Sequence, residues 1–176
     1  MAILCIRVKS TECNGWPNVK VMLDHKILYD LTLNRQEIFE IYLDDVSGNH
    51  LLQIEMYGKT ENNILLIDDK IVTEQSIEIA EILVDGIKLS DWFTIKHSTI
   101  NFNDEQMKGL LLCPNGTWDL KFETPIITFI LDEKIKHEAI YNQDYLYPWS
   151  YKLGPDSVKN LSRDLNKAKG LINSKL

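Results

Sequence analysis

The sequence has little alanine and no long apolar run, and both shortages restrict the possible folds. Alanine occurs only at Ala2, Ala80, Ala139 and Ala168 of 176 residues, whereas isoleucine, leucine and threonine are frequent. This balance favours strands over helices, because alanine has the strongest helix propensity and β-branched residues fit best in strands. No apolar stretch approaches membrane-spanning length, and the N-terminal stretch MAILCIRVKS is too short for a signal peptide. We therefore predict a β protein that is made in a cytoplasm and has no membrane partner.

Cysteine is also scarce, which excludes two common ways of stabilising a small protein. The three cysteines are Cys5, Cys13 and Cys113, and no Cys-x-x-Cys pair occurs. An odd number of thiols does not form a disulfide framework, and three thiols need well-placed histidines to complete a four-ligand zinc site. We expect free, buried thiols in a reducing compartment.

The sequence lacks the short motifs of common enzymes. The four histidines, His25, His50, His97 and His137, are isolated from one another, and the chain has no His-Glu-x-x-His, nucleophile elbow, P-loop or dinucleotide fingerprint. We therefore predict a non-enzymatic protein. The alternative is a hydrolase whose site is assembled in the fold, and that alternative uses acidic residues of region 55–69.

Basic residues are too few for a nucleic-acid partner. The formal net charge is −7, whereas proteins that bind nucleic acid usually present a basic face. The charge is uneven, because the residues from Lys134 onward are mildly basic and the preceding body is acidic. This asymmetry suggests that the tail rests on an acidic surface, either its own or a neighbour's.

Strand patterns fill most of the chain. In EIFEIYL the apolar residues Phe39, Ile41 and Leu43 alternate with Glu40 and Tyr42. This alternation predicts a strand that buries the three apolar side chains and turns Glu40 and Tyr42 outward. Similar patterns recur roughly every 8 to 14 residues, with turn signals between them, and extend through a final strand after the proline of PIITFIL. The pattern predicts a mainly β protein, an antiparallel, jelly-roll-like β-sandwich over residues 1–131.

The C-terminal part has a different pattern. Residues 132–154 are rich in aromatic side chains and have no clear period, which predicts an arm. Residues 155–176 predict one amphipathic α-helix, because Pro155 suits a first helical turn and apolar residues follow at helical spacing. Aromatic residues are common at the centres of interfaces, although packing within the same chain is the alternative. The predicted interface comprises Tyr141, Tyr145, Tyr147, Trp149, Tyr151, Val158, Leu161 and Leu165.

A polar region at residues 58–75 is the candidate metal site. Calcium prefers six to eight oxygen ligands from carboxylates, amides and carbonyls. The candidate ligands are Glu61, Asn62, Asp68 and Asp69, although their spacing is not that of an EF-hand loop. Since Asn and Asp are also ordinary turn residues, the alternative is a solvated loop between two core strands.

The four tryptophans can be interpreted either as core residues or as surface residues that bind sugars. Exposed tryptophan and tyrosine rings can stack on sugars while their polar atoms stay hydrated, so Trp16, Trp92, Trp118 and Trp149 are candidates. Trp118 lies in a strand pattern between Gly116 and Phe122 and is predicted to be a core residue.

Two segments resemble known families. NHLLQIEMYGKTEN followed by QSIEIAEILVDGI resembles calcium-dependent, xylan-binding-type carbohydrate-binding modules, with His50, Ile54, Asn62, Asn63 and Asp85-Gly86 on the pattern. The stretch NGTWDLKFETPIITFIL resembles a segment of virion proteins of tailed bacteriophages. The resemblance implies a β-sandwich, with calcium as a candidate cofactor and a glycan as a candidate partner.

We therefore expect a non-enzymatic structural or attachment subunit of a tailed-phage virion, made in the host cytoplasm. Its partners are other virion proteins or copies of itself, docked through the C-terminal arm and helix, and it needs no cofactor. The alternative is a carbohydrate-binding module, with or without calcium, that recognises a surface glycan.

Overall fold

The computed structural model describes residues 2–43 and 47–144, with side chains as far as Lys136. The chain divides into two compact units, Met1–Ile126 and Ile127–Leu176. The first unit is built almost entirely of antiparallel strands, and the described part of the second is helical. The strands are β1 (Ala2–Thr11), β2 (Asn18–Leu23), β3 (Lys26–Thr32), β4 (Gln36–Leu43), β5 (Gly48–Tyr57), β6 (Ile64–Ile67), β7 (Lys70–Glu74), β8 (Ser76–Val84), β9 (Ile87–Lys88), β10 (Ser98–Phe102), β11 (Glu105–Met107), β12 (Leu111–Leu112) and β13 (Gly116–Thr124).

Two sheets form the sandwich, and a third sheet is a separate hairpin. The first sheet has the strand order β12-β8-β1-β4, with β9 beside β8. The second sheet has the order β11-β10-β13-β5-β2-β3, and β6 pairs only with β7 among the described strands. The edge strands β4 and β3 are consecutive in the chain, so the polypeptide crosses from one sheet to the other at this edge.

The period-two pattern of the sequence produces the core. On β1 the side chains of Leu4, Ile6 and Val8 are fully buried, and on β5 the inward positions include Ile54 and Met56. Their neighbours on each strand face outward, as alternation along an extended chain requires. The predicted mainly β, antiparallel sandwich is therefore confirmed.

Asp and Asn residues, rather than glycine alone, make the tight turns. Asp24 and His25 join β2 to β3 with φ of 50° and 68°, and the turns after β6, β8 and β10 also have two consecutive residues at positive φ. Such two-residue turns match the twist of a hairpin, and Asn and Asp tolerate the left-handed region better than other side chains.

Trp118 lies at the centre of the core, as predicted. Its side chain is fully buried on β13, and its indole Nε1 donates a hydrogen bond to the carbonyl of Gly109 at 2.9 Å. Gly116, two residues earlier, has no room for a side chain, because a Cβ there would lie 2.5 Å from the carbonyl oxygen of Asn101. Close backbone approach therefore requires glycine at the start of this strand.

The strand predicted after Pro125 is wrong. Residues Ile126–Asp144 form the helix α2, which begins inside the predicted sandwich and continues through much of the predicted arm. The β-branched run IITFIL favoured a strand locally, but no proline or glycine interrupts the chain from Ile126 to Tyr147, and Glu133 pairs with Lys136 one turn later. Of the predicted interface residues, Tyr141 lies in α2, and the others, like the predicted helix 155–176, lie outside the described residues.

A short helix was also missing from the prediction. Residues Asp91–His97 form α1, between β9 and β10. Ser90 caps it, because its hydroxyl accepts a hydrogen bond from the Phe93 N–H at 3.3 Å. Seven residues are too few for a clear helical period in the sequence.

A surface ion-pair group on the first sheet predicts one pH effect. Glu81 contacts Arg7 Nη2 at 3.2 Å and Lys88 Nζ at 3.0 Å, and the hydrogen bond from Lys88 lowers the pKa of the Glu81 carboxyl from its usual 4.5, with a smaller contribution from Arg7. A lowered folded-state pKa adds stability above the unfolded pKa, and this stability is lost as the pH falls through the folded value. We expect Glu81→Gln to destabilise slightly at neutral pH and to make the acid decline of the unfolding free energy shallower.

Urea unfolding from pH 7 to pH 3 measures this effect. Glu78→Gln is the control, because Glu78 lies on the same strand and makes no ion pair with a described residue. Equal acid declines for the wild type and Glu81→Gln would show that the pair contributes nothing.

Candidate functional site

A cleft of about 560 Å³ opens at the edge where the chain crosses between the sheets. Strand β3 forms one wall, strand β4 forms the other, and the β2–β3 turn and β5 close one end. This volume lies within the usual range for small-molecule sites, about 300–1,000 Å³. The polar and aromatic lining residues are Asp24, Lys26, Tyr29, Glu40, Tyr42 and His50.

The buried His50 fixes the closed end of the cleft. Its Nδ1 lies 3.1 Å from Asp24 Oδ2, and its Nε2 lies 3.1 Å from Thr124 Oγ1, so both ring nitrogens have partners. The other carboxylate oxygen of Asp24 accepts the Leu51 N–H at 2.7 Å, and the Asp24 N–H returns a bond to the Leu51 carbonyl. These contacts bind the β2–β3 turn to β5, which holds the Asp24 carboxylate at a defined position in the cleft.

Tyr29 links the two walls. Its hydroxyl donates a hydrogen bond to the backbone carbonyl of Glu40 at 2.9 Å, and its ring centroid lies 5.0 Å from that of Phe39. Both contacts join β3 of the second sheet to β4 of the first. The separation of the walls is therefore set by side chains of the protein itself.

The open rim has a mixed chemical character. Tyr42 is 58% exposed, which is high for a large aromatic side chain. Lys26 and Glu40 are also exposed beside it. An exposed ring together with hydrogen-bond donors and acceptors suits a ligand that has both an apolar face and hydroxyl groups.

The order Thr124–His50–Asp24 has the connectivity of a hydrolase triad, but the geometry favours a positioning role. Thr124 and His50 are 6% and 8% exposed, so a substrate has little access to the hydroxyl. A nucleophile has to contact its substrate, whereas here the hydroxyl only satisfies a ring nitrogen. The acidic residues predicted for a hydrolase site, in region 55–69, do not contribute to this arrangement.

Cys5 and Cys113 are not activated nucleophiles either. Burial raises the pKa of the Cys5 thiol, with Glu40 adding to the shift. Burial also raises the pKa of Cys113, and the carboxylate of Glu74 raises it further. Because the thiolate is the reactive form, both thiols are poor nucleophiles at neutral pH.

The structure does not bring the four candidate calcium ligands together. Glu61 and Asn62 lie in the 3₁₀ helix Glu61–Asn63, whereas Asp68 and Asp69 form the turn between β6 and β7. The four residues of β6 separate the two pairs by about 13 Å. Among the side chains that the structure describes, in residues 2–43 and 47–136, no three His, Cys, Asp or Glu side chains cluster in a way that could hold a metal ion.

The region predicted as a loop at residues 58–75 contains a hairpin instead. Its apolar segment NILLID supplies β6, which pairs with β7 in antiparallel register. Asn63 holds the base of the hairpin, since its amide donates to the carbonyls of Cys13 at 3.0 Å and Asn14 at 3.2 Å. Asn63 thus has a structural role here rather than a ligand role.

The sequence indicated parts of the cleft without locating it. It correctly placed Glu40 and Tyr42 on the outward side of their strand, and it singled out His50 through the resemblance. It did not assign Asp24, Lys26 or Tyr29 to any site. The only relevant signal in the sequence was the short connection between the strand patterns of β3 and β4, which form the edge where the cleft lies.

No protein-family model matches the chain, and no curated protein sequence matches it significantly. The solved structures similar to it include two of vCBM60, the first of which is described in connection with two families of calcium-dependent carbohydrate binding modules. A selenomethionine form is 12% identical with a TM-score of 0.45 and covers 68% of this chain and 90% of its own. A complex with galactobiose is 13% identical with a TM-score of 0.43 and covers 67% of this chain and 96% of its own.

Among the described residues, no helix has the length and apolar character needed to cross a membrane.

Proposed function

We propose that this protein is a non-catalytic carbohydrate-binding module that holds a surface glycan in the cleft between β3 and β4. The observation that supports this most directly is the exposed ring of Tyr42 at the rim of a cleft that also presents Asp24, Lys26 and Glu40. A pyranose ring has an apolar face of C–H groups and a periphery of hydroxyls. The cleft offers a flat aromatic surface to the C–H face of the sugar and charged hydrogen-bonding groups to its hydroxyls.

The polar groups favour a neutral glycan over an acidic one. Asp24 and Glu40 are acceptors for sugar hydroxyls, and Lys26 is a donor. Two carboxylates and one ammonium leave one net negative charge in the cleft, which repels uronic or sialic acids. Acidic glycans should therefore bind more weakly than neutral ones of the same size.

The fixed closed end limits the entropy cost of binding. Asp24 is already oriented by His50 and by the Leu51 N–H, and the walls are joined through Tyr29. A site that does not have to order its own groups retains more of the interaction energy as affinity.

A glycan array followed by calorimetry with the best neutral ligand tests the proposal. We expect Tyr42→Ala to raise the dissociation constant by about tenfold, because the stacking surface is removed while the fold keeps its core. Trp92→Ala is the matched control, since Trp92 is 55% exposed on α1, away from the cleft residues, and its loss should leave affinity unchanged. Failure of every neutral glycan to bind, or loss of binding on changing Trp92 instead, would contradict this assignment.

The same titration with and without a chelator addresses calcium. Binding that persists under chelation places recognition in the cleft side chains alone. Binding abolished by chelation and restored by calcium would instead support the calcium dependence implied by the resemblance. The role as a tailed-phage virion subunit docked through the C-terminal residues stays a prediction from the sequence.

A further inference from the structure

The β6–β7 hairpin presents large aliphatic side chains to water. Leu65, Leu66, Ile67, Ile71 and Val72 are between 44% and 59% exposed. Single exposed aliphatic residues are common on protein surfaces, but five on the two faces of one short hairpin indicate a candidate binding surface. The described residues of the chain leave this group uncovered.

One edge of the hairpin lacks the usual protection against strand pairing. Strand β7 carries Lys70 and an extra residue, Val72, which bulges out of the register with β6. Charges and bulges of this kind protect an exposed edge. Strand β6 has neither: it is Ile-Leu-Leu-Ile, and its only neighbour among the described strands is β7.

The hairpin is held firmly at its base. The Lys59 ammonium pairs with Glu74 and donates to the carbonyls of Gln75 and Cys113. The Gln75 side chain donates to the Gly15 carbonyl at 2.7 Å. An isolated two-stranded hairpin is marginal in water, so these contacts keep the unprotected edge formed and oriented.

We propose that β6 is a dimerisation edge, and that it pairs antiparallel with β6 of a second copy of this chain. A two-fold axis at Leu66, normal to the sheet, places Leu66 opposite the partner's Leu66 and Leu65 opposite the partner's Ile67, because opposed residues of an antiparallel pair share a face. No like charges face each other in this register, and the two hairpins become a four-stranded sheet. This inference is independent of the glycan cleft.

The size of the surface indicates weak association. Patches of this kind measure on the order of a few hundred Å², so two of them bury less than a standard interface of about 1,600 Å². We expect a dissociation constant on the order of 10–100 µM.

A lipid surface fits the hairpin less well than a second copy. Its tip consists of Asp68 and Asp69, both exposed, which would be repelled by anionic lipids and costly to bury in any bilayer. The hairpin also has no Trp or Tyr, the residues that anchor proteins at a membrane interface.

Sedimentation of the full chain over a concentration series tests the proposal. We expect the wild type to shift from monomer to dimer, and Leu66→Lys to weaken this self-association at least tenfold by placing charge on the pairing edge. Ile38→Lys is the matched control: Ile38 is 51% exposed on β4, which is also an edge strand. It should dimerise like the wild type.

A wild type that stays monomeric up to millimolar concentration would overturn the proposal. So would equal weakening by Leu66→Lys and Ile38→Lys, or an unchanged dimer in Leu66→Lys with a native circular dichroism spectrum. Flotation with phosphatidylcholine vesicles provides a second measurement. Binding of the wild type that Leu66→Lys abolishes would assign the hairpin to lipid and likewise overturn dimerisation.

Discussion

Replacement of Trp118 by alanine is expected to lower the free energy of unfolding by about 3–5 kcal/mol, the usual cost of removing a large buried aromatic side chain. Trp118 is fully buried on β13, and its indole N–H satisfies the Gly109 carbonyl. Alanine would leave a cavity between the sheets and an acceptor without its partner. Chemical denaturation followed by far-ultraviolet circular dichroism measures the loss.

Two variants separate the contributions at this position. Trp118→Phe keeps most of the buried volume but cannot donate the hydrogen bond, so we expect a smaller loss of about 1–2 kcal/mol. Trp92→Ala removes the same side chain from an exposed position and should change stability by no more than about 0.5 kcal/mol. A loss below about 1 kcal/mol for Trp118→Ala would show that the core is not centred on this residue.

The sandwich was predictable because burial leaves a period of two in the sequence. Along β5, Leu52, Ile54 and Met56 are fully buried while Gln53 and Glu55 face outward, which is the alternation visible in LLQIEMY. Each such strand can be recognised alone, since the pattern depends only on which face is covered. Pairing order cannot be recognised this way, because it depends on contacts between residues far apart in the chain.

The failures of prediction have equally specific causes. The run IITFIL has strong strand propensity, yet it forms the first turns of α2, because the helix-forming residues after it extend one uninterrupted element to Asp144. The segment NILLID interrupts the polar region 58–75, which the sequence predicts as a loop. It forms a hairpin whose aliphatic side chains remain outside the core.

The cleft could not be predicted from the sequence, because it depends on residues that are far apart in the chain. The sequence places Tyr42 on the outer side of β4, but the cleft exists only because β3 ends the other sheet beside it. His50 is informative in a similar way. Its role follows from Asp24 and Thr124, 26 and 74 positions away, which no local pattern connects to it.

The two proposed sites would reinforce each other. A dimer formed through β6 carries two clefts, and a surface that displays many glycans can engage both. The second contact is then effectively intramolecular, which can raise the overall affinity by about 10²–10⁴ without any new interaction.

The buried ammonium of Lys59 gives the second large expected effect: Lys59→Met should lower the free energy of unfolding by about 3 kcal/mol, because it removes one partner of a buried ion pair. The Lys59 side chain is 6% exposed, and its loss leaves Glu74 and two carbonyls at the hairpin base without their donor. Lys20→Met is the control, since the Lys20–Glu55 pair is 26% and 32% exposed and should contribute no more than about 1 kcal/mol.

Urea unfolding gives both values, and hydrogen exchange at the β6 and β7 amides reports whether the hairpin opens before the rest of the protein. Equal losses in the two variants would mean that the hairpin is not held at its base by this ammonium.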